Sequence, residues 1–152
     1  MFAAPSWSSA ATHNSALFGP ASIDSARRYY TGRGLPSRKL MVGIPFYGER
    51  FDGASALGDT LSSRSGGGVA YSSIERLEHH DWELRRDAAA GEMPYLVRET
   101  GPGVIVYDDP RSIRRKCEYV KAEDLLGVVA WSLGQDAASD GQPLFKAIAA
   151  CR

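Results

Sequence analysis

Two places in the 152-residue sequence set large aromatics beside hydrogen-bonding groups. Trp131 is followed by Ser132, Gly134, Gln135 and Asp136, and Phe46-Tyr47 is followed by Gly48. A flat ring next to polar groups suits a cyclic polar ligand such as a sugar, whose C–H face is apolar while its rim needs hydrogen bonds. Packing is the competing reading of each aromatic, since Trp is highly buried on average. The acids offer less. Asp136 follows Trp131 closely and is a candidate to face the same mouth, but nothing around it marks an acid of raised pKa. Asp108 and Asp109 read as a turn and a helix cap. His79-His80-Asp81 has the residue types of a metal site, yet adjacent side chains point apart and no second cluster accompanies them. A solvated turn is therefore expected there, with no metal and no cofactor. Trp7 and His13 each stand alone and read as packing residues.

Strands and helices must position these groups. Leu125 to Ala130 is a short apolar run with β-branched members, which suits a strand buried on both faces in a helix-covered parallel sheet. Leu40 to Ile44 is a second such run. Ligands of parallel α/β folds sit at the carboxyl ends of strands, where Trp131 and Tyr47 fall. Ser22 caps a helix that carries Ile23, Ala26 and Tyr30 on one face and stops at Gly32 and Gly34. Asp109-Pro110 starts another, with Ile113, Cys117 and Val120 buried and Arg114, Arg115 and Lys116 mostly on the solvated face. Pro143 starts a last helix with Leu144, Ile148 and Phe145 inward. Residues 1–21 and the Gly/Ser-rich residues 52–68 read as loops. Between them and Tyr107 the signals are short and mixed: a helix at Ser72–Leu77 and strands at Trp82–Arg86, Tyr95–Arg98 and Val104–Tyr107. This block, residues 69–107, reads as a separate α+β lobe. Residues 39–44 and 127–131 are expected to be neighbouring parallel strands.

Composition narrows the classes. Lys+Arg and Asp+Glu number 18 each, so there is no electrostatic case for nucleic acid or an anionic membrane. No apolar run is long enough to span a bilayer, and Met1-Phe2-Ala3-Ala4-Pro5 is not a complete signal peptide. Two cysteines, Cys117 and Cys151, are too few for a disulfide scaffold; their pairing is left open by the sequence.

Lys39 to Gly48, Tyr107 to Ile113 and Gly127 to Leu133 resemble the C-terminal part of family 18 glycoside hydrolases, the chitinases and their relatives. Ser6-Trp7-Ser8-Ser9, with His13 and Ala16-Leu17-Phe18, is similar to the segment after the sixth barrel strand, and Trp82 to Leu96 to the end of the insertion domain. The resemblance implies an α/β fold, the C-terminal part of a (β/α)8 TIM barrel with an α+β insertion domain. Residues 1–51 would hold the loop after strand six, helix six and strand seven; 52–107 the insertion; 108–152 helix seven, strand eight and helix eight. It implies chitin or chitooligosaccharide, the β-1,4-linked N-acetylglucosamine polymers, as the partner. Trp131 would be the floor of the subsite at the cleavage point, with Tyr47 and Phe46 as further substrate-binding residues. It also implies secretion.

The departures are equally specific. The family's Asp-x-x-Asp-x-Asp-x-Glu spacing does not occur; Asp81-Trp82-Glu83 has its last step, but His79 and Arg76 stand where further acids are needed. The Met-x-Tyr-Asp stretch of strand six is also missing, and Glu49 replaces the family's Arg after Tyr-Gly. The resemblance therefore implies a chitinase that works by substrate-assisted retaining hydrolysis, with this chain inactive alone. A lectin-like barrel remnant that binds chitooligosaccharide is the alternative. An unpaired strand edge would seek the missing N-terminal barrel part or a second copy.

Overall fold

The computed structural model of the chain describes residues 9–61, 66–77, 80–137 and 141–151; Trp7 and His79 lie outside them. In chain order the elements are α1 (Ile23–Thr31), β1 (Met41–Pro45), β2 (Tyr47–Phe51), β3 (Gly66–Ala70), α2 (Tyr71–Leu77), β4 (Trp82–Asp87), β5 (Met93–Arg98), β6 (Val104–Val106), α3 (Pro110–Ala122), β7 (Gly127–Trp131) and α4 (Pro143–Ala149). β1 and β7 form a parallel pair, as expected, with Met41 opposite Gly127 and Pro45 opposite Trp131. The other strands form an antiparallel sheet in the order β3-β2-β6-β5-β4.

That sheet starts at Tyr47, directly after β1, and so extends beyond the lobe expected at 69–107. Gly66 to Gly68 are strand residues rather than surface loop, paired with Phe51, Arg50 and Glu49. Glycines carry no side-chain alternation, so the sequence pattern hid a strand held by its backbone ladder. Gly66 has φ +112°, and a Cβ there would lie 2.0 Å from the Arg50 carbonyl oxygen. At Gly48 a Cβ would lie 2.4 Å from the Val106 carbonyl oxygen, so only glycine lets β2 approach β6 this closely.

The helices start where the capping residues stand. Ser22 and Ser25 form a capping box at α1, and Asp109 and Ser112 form one at α3 with Pro110 in the first turn. α1 buries Ile23, but Tyr30 is exposed beyond the core edge and meets Tyr29 edge-on. On α3, Ile113 and Cys117 are buried as expected. Lys116 is buried as well, not solvated: it sits one turn from Ile113, on the face that packs against the chain. On α4, Leu144 and Ala147 are buried, whereas Phe145 is exposed rather than inward.

One continuous core joins the parallel pair to the sheet. Val42, Ile44, Ile113, Leu125 and Leu144 pack in the same cluster as Ile74, Leu96, Ile105 and Tyr107. β7 is not buried on both faces. Val128 and Ala130 pack on the core, while Val129 and Trp131 alternate to an exposed side. Helices cover one side of the pair only, and among the described residues no strand pairs with the outer edge of β7.

Cys117 and Cys151 are disulfide-bonded with their Cα atoms 5.5 Å apart, tying α3 to the end of α4 across 34 residues. Loop closure of this length is worth about 4 kcal/mol through the unfolded chain. Urea unfolding in the presence of a thiol reductant is expected to show a lower midpoint and an unfolding free energy reduced by that amount; an unmoved midpoint would remove the bond from the stability of this chain.

Candidate functional site

Trp131 ends β7, and its side chain is on the uncovered face with the residue 62% exposed. Its carbonyl accepts the Phe46 N–H at 2.7 Å, and the peptide to Ser132 is cis. The backbone beyond it is held: Ser132 N–H donates to Gln135 Oε1 at 3.3 Å, and Ser72 N–H donates to the Gln135 carbonyl at 3.0 Å. Tyr71 N–H donates to the Phe46 carbonyl at 3.0 Å, which docks the start of α2 against the same corner. A large ring is thus left open at a strand end whose backbone is fixed.

Tyr47 lies two residues past Pro45, the register partner of Trp131. It is half-buried, and burial, with Glu49 next along the same strand face, raises its phenol above the ordinary value. Glu49 is itself buried. The Tyr47 carbonyl accepts a hydrogen bond from Asn14 Nδ2 at 3.2 Å. Phe46 differs from the sequence expectation. It is 1% exposed and belongs to the main core, so it offers no open aromatic face. It contributes only to the wall of a 260 Å³ hollow shared with Leu133, Asp136 and Phe145. Phe46 turns inward, where it packs with Ile44 and Tyr107 in the core, and leaves Tyr47 and Trp131 as the half-open and open rings.

The acids near the motifs are engaged elsewhere. The Asp136 carboxylate accepts backbone N–H groups from Ala137 at 2.8 Å, Phe145 at 2.9 Å and Leu144 at 3.3 Å, so it caps α4. Asp108 is more than a turn residue: it accepts from Lys116 Nζ at 2.6 Å and from Ser112 Oγ at 2.6 Å. Asp109 caps α3 and pairs with Arg86. Asp81 pairs with Arg98 at 2.9 Å and with Thr100. Among the described residues no group of three or more His, Cys, Asp or Glu is gathered to hold a metal ion.

His13 is buried, its Nε2 3.2 Å from Asp87 Oδ2, and burial lowers its pKa despite that carboxylate. Next to it, Asn14 reaches Tyr47 and Ser15 Oγ meets Lys116 Nζ at 2.7 Å. The contacts of Asn14, Ser15 and Lys116 are missed by sequence reading. Lys116 carried a signal, since it falls three residues after Ile113 and beside Cys117 on the apolar stripe. Asn14 and Ser15 carried none, because their partners are far away in sequence.

The profile of Glycosyl hydrolases family 18 matches residues 2–136. Probable chitinase 10 of Drosophila melanogaster is 32% identical over 138 residues, which are 79% of this chain and 6% of that protein. A family 18 N-acetylglucosaminidase from Paenibacillus barengoltzii superposes with a TM-score of 0.85 at 26% identity, covering 97% of this chain and 45% of that one. Human YKL-39, described as a pseudo-chitinase with retained chitooligosaccharide binding, superposes at 0.79 with 27% identity over 93% of this chain and 45% of its own. The chain thus spans less than half the length of these relatives. From the family profile, the parallel β1–β7 pair and these superpositions, the chain belongs to glycoside hydrolase family 18, as a partial portion of its TIM-barrel domain.

Proposed function

We propose that this chain binds chitooligosaccharide by stacking on Trp131, with Tyr47 lining the same cleft, and that it does not hydrolyse the sugar by itself. The observation that carries this reading is the open Trp131 ring at the end of a strand with a fixed backbone. An aromatic face needs no acid to stack on the C–H face of a pyranose. Human YKL-39 offers a relative in which binding is described without the enzyme. The organisation we propose keeps barrel segments at 1–51 and 108–152 around an insertion at 52–107, with β2 lending its residues to the insertion sheet. Secretion is part of the proposal, supported by a disulfide that needs an oxidising compartment to form.

Titration calorimetry with a chitooligosaccharide series tests the reading. Saturable binding is expected in the native chain, weakened about tenfold or more in Trp131→Ala, the scale of one lost stacking contact. Equal affinity in the two proteins would remove Trp131 from the site.

A further inference from the structure

Three consecutive residues outside the cleft each grip a different part of the fold. His13 holds Asp87 at the end of β4, Asn14 holds the carbonyl of Tyr47 at the start of β2, and Ser15 holds Lys116 on α3. Ser15 and Lys116 are fully buried, so this anchor is shielded from water. The segment is fastened on both sides as well. Ala11 N–H donates to the Asp59 carbonyl at 2.8 Å, and Leu17 N–H to the Ala90 carbonyl at 3.0 Å. Tyr47 occupies the point where the chain leaves the parallel pair and enters the antiparallel sheet, with Phe46 alone between the two strands. A reorientation of that peptide would move the Tyr47 ring relative to Trp131.

Resting on the reading of Tyr47 as a cleft residue, we propose that Asn14 is a positioning residue, which sets Tyr47 against the Trp131 platform through the Tyr47 carbonyl. The anchored segment makes the Asn14 amide a fixed donor, so the peptide it meets is held from outside the cleft. Asn14 touches no sugar in this scheme and acts only through Tyr47. Its substitution therefore removes the contribution of Tyr47 and leaves that of Trp131.

Asn14→Asp tests this, because it replaces the donor with an acceptor of the same shape. Chitooligosaccharide affinity is expected to fall about five- to tenfold, the scale of one hydrogen bond. In a double-mutant cycle the variant should cost nothing further in a Tyr47→Ala background and its full amount in a Trp131→Ala background. A ligand-free readout accompanies it: the chain has seven tyrosines, and fluorotyrosine labelling with a Tyr47→Phe control identifies the Tyr47 resonance. That resonance should shift in Asn14→Asp. An undiminished effect in Tyr47→Ala, or an unmoved Tyr47 resonance, overturns the proposal. If the native chain binds no chitooligosaccharide, the cleft reading fails while the resonance still decides the positioning claim. Asn14→Ala supplies the same comparison should the aspartate variant not fold.

Discussion

The purified chain, incubated with a fluorogenic chitobioside, is expected to release no fluorophore above a heat-killed control. Cleavage of a glycosidic bond needs a proton on the leaving oxygen, and a positioned acid contributes roughly 10²–10⁴-fold to such a step. The sequence contains no Asp-x-x-Asp-x-Asp-x-Glu spacing to supply one. The acids nearest the aromatic strand ends are committed to structure. Asp136 is turned to the first turn of α4, whose N–H groups it accepts. Asp108 is locked to Lys116 and Ser112 inside the protein, and Asp109 is shared between a helix cap and Arg86. Glu49 lies beside Tyr47 but is buried on β2. Turnover above the control that vanishes in Asp136→Asn or Glu49→Gln would overturn the inactive reading and name the acid responsible.

Lys116→Ala is expected to destabilise the chain by about 3–5 kcal/mol, the cost of leaving a buried charge without its partner. For a chain of this size that corresponds to a fall in melting temperature of roughly 10 °C. Both side chains of the Lys116–Asp108 pair are 0% exposed, and Nζ also donates to Ser15. Burial pushes the Lys116 amine below its ordinary pKa, and the Asp108 carboxylate opposes that shift. Removing the lysine leaves Asp108 with Ser112 Oγ and no cation. The double variant Lys116→Met with Asp108→Asn is expected to recover much of the loss, since it removes both charges together. Urea unfolding of the three proteins measures this. A Lys116→Ala loss under about 1 kcal/mol, the worth of an exposed pair, would show that the buried pair contributes no more than a surface one.

The sequence by itself determined the local features. Ser22 and Asp109 start helices because their side chains satisfy N–H groups three residues on, a contact within one turn. The apolar runs at 40–44 and 125–130 became the parallel β1–β7 pair, as their hydrophobic length and turn signals indicate, although β7 packs one face only. Trp131 and Tyr47 were legible as site candidates because aromatics beside glycine and polar residues at strand ends leave a composition mark. The tertiary structure decided everything that depends on distant partners. Glycine-rich residues 66–68 became a strand only through the ladder offered by β2. Val129 and Phe145 stand exposed because no element among the described residues covers their side of the molecule. Phe46 went into the core, where it packs with Ile44 and Tyr107. Asn14 and Ser15 acquired their roles from groups 33 and 101 residues away, and such pairings have no period or motif in a single chain. Periodicity records which face of an element is apolar, whereas the burial of a charge depends on whether a counter-charge is buried with it.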